Sequence, residues 1–222
     1  MNIFRTLAAA ALFFGLLTAL PAAEPSKPDP LNALEKKLVG TWIGQGGCVG
    51  DAVFQEDGTY HCYGYGPFPS REIGRWKIEW NALPPTLILE PWPTDGYDST
   101  KPQRLILVTL NDKEFNFRYE GFDRVAQHTK GTASDDVKIR IKVLDSGVQR
   151  YLGNKQHGAG VKLPPDLKTL VDTNIIRSPS LLDPWGKEFH YDVAGKRNQG
   201  KRPDIWAETK DGKVIGNWMD RD

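Results

Sequence analysis

The chain has little of what most common chemistries are built from. Among its 222 residues there are only 2 Cys and 4 His. The histidines (His61, His128, His157 and His190) are scattered, so no zinc spacing built on cysteine exists. Charge of one sign is missing too, with 29 Lys and Arg against 28 Asp and Glu. A balanced chain offers no cationic field to a phosphate backbone or an anionic bilayer, which argues against nucleic acid as a partner. After the first two dozen residues, no apolar run approaches the ~20 needed to span a membrane. Catalytic signatures are absent as well: GxSxG, HExxH and a glycine-rich phosphate loop do not occur. The glycines of GQGGCVG lie between strand-like pieces rather than ahead of a helix. What remains for chemistry is Cys48 with His61 as a thiolate pair, or the carboxylates Glu79 and Glu90. In an exported protein Cys48 reads more simply as a half-cystine, and Glu79 and Glu90 fall on the outward positions of strands. The expectation is a protein that is not an enzyme and holds no cofactor.

What is present begins with an address. Met1 to Ala23 carries one charge, Arg5, then an apolar run from Leu7 to Leu20, then Pro21-Ala22-Ala23. That is the pattern of a secretory signal peptide (1–23), the alternative being an uncleaved anchor. No Cys follows to take a lipid. Cleavage leaves 28 basic and 28 acidic side chains, a near-neutral exported protein of the periplasm or extracellular space with no membrane span. EPSKPDP opens a polar, Pro-rich linker, 24–34.

Both cysteines lie in the exported part, where a Cys48–Cys62 disulfide is the default and two buried thiols are the alternative. A two-residue turn at Asp57-Gly58 would set Cys62 opposite Val53, five positions from Cys48. The bridge would then need Gly46, Gly47 and Gly50 to fold the chain back.

Residues 35–129 read as eight short strands: Thr41 to Gly46, Asp51 to Glu56, Gly58 to Gly66, Arg71 to Trp80, Thr86 to Pro91, Gln103 to Leu110, Glu114 to Gly121 and Asp123 to His128. Alternation is clearest where Trp76, Ile78 and Trp80 face one way, and again at Phe115, Phe117 and Tyr119, with Asn116, Arg118 and Glu120 outward. One apolar and one solvated face predict an up-and-down β-barrel. After Gly131 the period changes. Val137, Ile141, Leu144, Val148 and Tyr151 form one helical stripe, with Ser134 as N-cap, Asp135 and Asp136 in the first turn and an end near Gly153. A short turn at Asp166 to Val171 follows, then strands at Glu188 to Val193, Pro203 to Thr209 and Lys213 to Trp218, the last two joined across Asp211-Gly212. The fold class is two domains, an all-β barrel followed by an α+β domain over 130–222. Residues 24–128 carry an excess of acids and 129–222 an equal excess of bases, a mild incentive to dock.

LVGTWIGQGG, FQEDGTY and GRWKIEW resemble the small lipocalin-like (calycin) barrels of secreted bacterial proteins. The resemblance implies that Trp42, two residues after Gly40, lies across the barrel floor and that an Arg after the last strand stacks on it; Arg124 is the candidate. The floor and ligand-lining set is then Trp42, Arg124, Trp76, Trp80, Phe115, Phe117 and Tyr119, in a barrel either filled by these rings or open to one apolar molecule. The second half resembles the globular domain of the type II secretion system major pseudopilin, on LPPDLKTLV, LLDPWGKEFHYD, PDIWAETKDGK and VIGNW, with Asp183, Pro184, Trp185, Gly186, Asn217 and Trp218 as its motif. That family holds calcium between its last strands. Here Ala207 replaces the family's Ser and few acids precede Gly216, so the site is expected to be lost, with Asp204 and Asp211 as weak metal candidates. Where that family has its leader and long assembly helix, a signal peptide and then another domain are expected here, so assembly by the family's route is not expected.

The expected function is an exported, non-catalytic binding protein with an unidentified protein partner; the pseudopilin resemblance implies a soluble accessory of secretion. The alternative is a periplasmic carrier of a small apolar ligand inside the barrel. Glu90 to Pro102, rich in Pro and aromatics, is the expected contact loop.

Overall fold

Alternation between apolar and polar residues closes the first half on itself. The computed structural model describes residues 31–46, 50–64, 73–92, 101–153 and 162–219. Eight antiparallel strands run in chain order: β1 (Gly40–Gln45), β2 (Asp51–Phe54), β3 (Thr59–Tyr63), β4 (Ile73–Glu79), β5 (Thr86–Pro91), β6 (Gln103–Leu110), β7 (Glu114–Tyr119) and β8 (Val125–Lys130). Each pairs with the next, and β8 pairs with β1, so the barrel has no open edge. Before β1, the single turn α1 (Glu35–Leu38) lies across one end. It is fastened there by Leu38 in the core and by Trp42 Nε1 donating to the Leu38 carbonyl at 2.6 Å.

The interior is packed with rings. Trp42, Phe54, Tyr60, Phe115 and Phe117 are all but fully buried. Phe54 meets Trp76 and Phe115 edge-on, at 6.0 and 5.7 Å between centroids, and Phe115 lies 5.2 Å from Phe117. His128 completes this layer, stacked 5.2 Å from Phe117, with ring nitrogens against the carbonyls of Phe115 and Gly50. At Gly74 the interior tolerates no side chain, because a Cβ would come within 2.1 Å of the Glu90 carbonyl oxygen.

The hairpin between β2 and β3 differs from the expected one. Gln55 N donates to the Thr59 carbonyl, leaving three residues in the turn, with Gly58 at φ +80°. This is a type I turn closed by a left-handed glycine. The extra residue shifts the register by one, so Cys62 faces Ala52 and His61 faces Val53. Cys62 is buried inside the barrel; Cys48, and so the proposed bridge, lies outside the described residues.

Arg124 is not the residue over Trp42. It precedes β8 at the opposite end of the barrel from α1 and is exposed. Strand β8 begins two residues later than expected and ends two later. Its last residue, Lys130, is the direct cross-strand neighbour of Trp42. The Lys130 ammonium sits 4.2 Å above the Trp42 ring and donates to the Val39 carbonyl at 2.5 Å. A Cβ at Gly40, whose φ is +117°, would strike that ammonium at 2.9 Å. The glycine, the tryptophan and the lysine therefore fit as one unit.

After Gly131 and Thr132 the chain enters α2 (Ala133–Gly153). Its cap is Thr132 rather than Ser134: Asp135 N donates to Thr132 Oγ1, and Thr132 N and Oγ1 both donate to the Asp135 carboxylate. That is a reciprocal capping box with Asp in the third position. The second half continues with α3 (Lys168–Asp172), a 3-10 turn at Ser178–Leu181, and a three-stranded antiparallel sheet of order β11-β10-β9, from β9 (His190–Asp192), β10 (Asp204–Glu208) and β11 (Val214–Gly216).

The expected stripe of α2, Val137, Ile141, Leu144 and Val148, packs with Leu170, Ile176, Ile205, Ala207 and Ile215 into a second core. The helix is also buried on the adjacent side, through Asp136, Ile139, Arg140 and Val143. This side meets β1, β2 and β3. At 100° per residue the two stripes together cover roughly 200° of the helix. Under it, the outward-facing Thr41, Val53, Thr59 and His61 of the barrel are buried as well. No helix among the described residues is long and apolar enough to cross a membrane.

Candidate functional site

Where α2 crosses the barrel, a charge is buried. Asp136 and Arg140, one helical turn apart, form an ion pair with Nε to Oδ1 at 2.6 Å and are 11% and 6% exposed as side chains. The guanidinium reaches both halves. Its Nη1 donates to the Leu182 carbonyl at 3.1 Å and lies 3.4 Å from His61 Nε2. Gln55, turned so that its nitrogen donates to Thr59 Oγ1, accepts from Arg140 Nη2 at 2.7 Å. Burial pushes the Asp136 carboxyl above the usual range, a shift that Arg140 opposes and Asp183 reinforces. Burial, then the neighbouring cation, pulls His61 down to about 3. His61 is therefore neutral at physiological pH, accepting at Nε2, while its Nδ1 is buried with no partner among the described residues.

All the donors of Arg140 face protein acceptors. The cluster is thus a clamp between β2, β3, α2 and the Leu182 backbone, rather than a cationic subsite. Breaking a buried pair by removing one partner costs ~3–5 kcal/mol.

Beside the clamp opens a cleft of about 830 Å³, between the β1–β2 side of the barrel and the segment 178–188. Its far wall carries Asp183-Pro184-Trp185-Gly186, held as a tight turn. Asp183 Oδ1 accepts from the backbone N–H groups of Trp185 and Lys187, both at 2.9 Å, and Gly186 takes φ +80°. The short side chain of Asp closes this turn on itself, while Trp185 packs on the second core. A second cleft of about 520 Å³ lies on the α3 side and shares Ser178, Leu181 and Glu188 with the first.

The remaining residues singled out in the sequence scatter by role. Trp42, Trp76, Phe115 and Phe117 are inside the barrel, whereas Trp80 and Tyr119 are partly buried against its core. Trp80 Nε1 donates to Glu35 on α1. Glu79 and Glu90 point outward into ion pairs with Arg104 (3.0 Å) and Lys77 (2.6 Å), which is not the geometry of two carboxylates across a cleft. Asp204 accepts from Arg197 N, Asn198 N and Asn198 Nδ2. Asn217 joins that network, accepting from Asn198 and Ile205 N and donating to Asp145. Asp211 sits apart, on the β10–β11 turn, accepting from Thr209 Oγ1. The two weak metal candidates thus belong to separate structures, and no group of three potential ligands exists among the described residues. Trp218 covers Gly216, where a Cβ would meet its ring at 2.3 Å, and is itself covered by Arg197 at 4.4 Å. Most of Glu90 to Pro102 lies outside the described residues.

Sequence reasoning missed the clamp. Its one signal was Asp136 and Arg140 at i, i+4 flanked by Ile139 and Val143, a pattern that also fits a solvated helix face.

No family model, curated protein or solved structure matches this chain. The lipocalin-like and pseudopilin-like resemblances accordingly rest on the motifs quoted above.

Proposed function

We propose that the chain is an exported, non-catalytic binding protein, whose barrel is a filled scaffold and whose second half carries the recognition surface. The observation that supports this most is where space and bulk are found. Trp42, Phe54, Tyr60, Trp76, Phe115 and Phe117 occupy the barrel's inward positions, while both clefts open outside it, along 178–188. A carrier needs an enclosed apolar cavity of at least ~300 Å³, and six large rings in one eight-stranded barrel oppose that. The pseudopilin-like motifs make association with a secretion apparatus part of the same proposal. The Asp183 turn, at the wall of the larger cleft, is the element of that resemblance placed to take part.

Native mass spectrometry of the protein isolated from its own exported fraction, read beside its denatured mass, tests this reading. The denatured mass is expected to lack residues 1–23 and two hydrogens, for signal cleavage and a Cys48–Cys62 bridge. The native mass is expected to show the bare chain or a complex with another protein. A small organic adduct lost on denaturation would replace the reading with a carrier.

A further inference from the structure

We propose that the paired clefts receive an extended segment of a partner protein in which Lys or Arg alternates with apolar residues. This rests on the reading of the chain as a binding protein and adds the chemistry of its partner. The clefts adjoin through Ser178, Leu181 and Glu188, so a single strand of peptide has two consecutive sites to fill. Both lie in or near the size range of ligand sites, ~300–1,000 Å³. Val53, Leu181 and Leu182 in the first and Val171 and Phe189 in the second supply apolar floor, and Leu182 is 38% exposed.

Charge decides what fits between those apolar contacts. The only cations lining the clefts among the described residues, Arg140 and Lys168, are each engaged by an ion pair, with Asp136 at 2.6 Å and Asp172 at 2.9 Å. Asp57, Asp183 and Glu188 in the first cleft, and Asp166 in the second, make no ion pair among the described residues. Asp57, Asp166 and Asp183 hold local N–H groups, which leaves their charge in place, and Glu188 is exposed. Asp166, Asp183 and Glu188 run against their surroundings, since residues 129–222 carry more Lys and Arg than Asp and Glu. Low-dielectric walls lined by one sign focus the potential and attract the opposite charge. The same field repels a phosphate backbone or an anionic headgroup. The apolar floor gives a bare inorganic cation nothing to bury. A peptide bearing both kinds of side chain uses both features, its cations setting register and its apolar residues supplying burial.

The test is fluorescence anisotropy of the mature full chain with a labelled ten-residue peptide repeating Lys, Leu and Ser, beside its Glu, Leu and Ser counterpart. The Lys peptide is expected to bind about tenfold tighter or more, with an affinity that falls as salt rises. Glu188→Lys, at an exposed side chain with no ion pair among the described residues, should weaken the Lys peptide about tenfold, while Asp123→Lys on the barrel surface, equal in charge, should change it less than about twofold. Asp166→Asn, which keeps an acceptor for the Thr169 N–H and hydroxyl, should show a smaller loss in the same direction. Equal binding of the two peptides, or equal effects of Glu188→Lys and Asp123→Lys, would overturn the proposal. So would self-association that Glu188→Lys abolishes, since a second copy would then be the occupant. A protein complex in the native mass spectrum alongside peptide failure would leave the binding function standing and remove only this site.

Discussion

The barrel and the second half reach a single packed state by opposite means. The barrel closes eight strands around aromatic rings, and its buried polar groups are few. The second half has only three short strands, and ties them to α2 through side-chain hydrogen bonds. Arg202 bridges Asp145 on the helix at 3.0 Å, Asn198 Oδ1 and the Asn217 carbonyl, and Asn217 Nδ2 donates to Asp145 at 3.1 Å. Apolar packing can relax around a lost methyl group, whereas a satisfied polar network leaves an orphan when one member goes. The barrel should therefore lose stability in proportion to the volume removed, and the second half according to which partner is left unpaired.

The largest break expected is in the barrel. Phe115→Ala empties the centre of the ring cluster and should cost about 4 kcal/mol in chemical denaturation. An effect under about 1 kcal/mol would mean that the rings do not fill a shared core. Next is the clamp between the halves. Arg140→Met leaves Asp136 buried without its cation and should cost about 3 kcal/mol; adding Asp136→Leu should restore most of this, because two apolar groups replace the pair. If the double variant is no better than the single, the pair is not coupled. In the second half, Asn217→Ala removes one acceptor and one donor from the buried network and should cost about 2 kcal/mol, out of proportion to the few atoms lost.

A smaller effect separates the halves by pH. His61, lowered to about 3, and His128, lowered to about 4, both take up protons more readily in the unfolded chain. The contribution of these two histidines to stability should be flat above pH ~6.5 and fall as pH drops from there toward 4, with protons bound on unfolding. His61→Gln should flatten part of that slope and leave the remainder to His128; an unchanged slope in the variant would show that His61 titrates normally.

Much of this contrast was legible in the sequence. Strand-like runs broken by turn residues located all eight strands, with period two plainest at Trp76 to Trp80 and Phe115 to Tyr119, although β2, β3 and β5 are buried on both faces. The α2 stripe and the order of the last three strands were equally readable. What escaped depended on single residues whose roles are set by partners far along the chain. A strand displaced by two residues keeps its inward and outward pattern, so nothing local distinguished Lys130 from Arg124 as the cation over Trp42. The three-residue turn at Glu56 to Gly58 moved Cys62 by one position, which no periodicity reports. Asp136 and Arg140 wear the colours of a solvated face, yet that face lies against β3, because closing the barrel left Val53 and His61 outward beneath it.

The central claim is that α2, buried on two sides, makes the filled barrel and the polar second half one cooperative body. Native-state hydrogen exchange of the wild-type chain tests it most directly, comparing strand amides of β3, at His61 and Cys62, with those of β10, at Ile205 and Ala207. The account predicts one common opening free energy for both sets, shifting together with denaturant. Slow β3 amides beside β10 amides that open several kcal/mol more easily would contradict it, and would make the clamp a contact between independent domains.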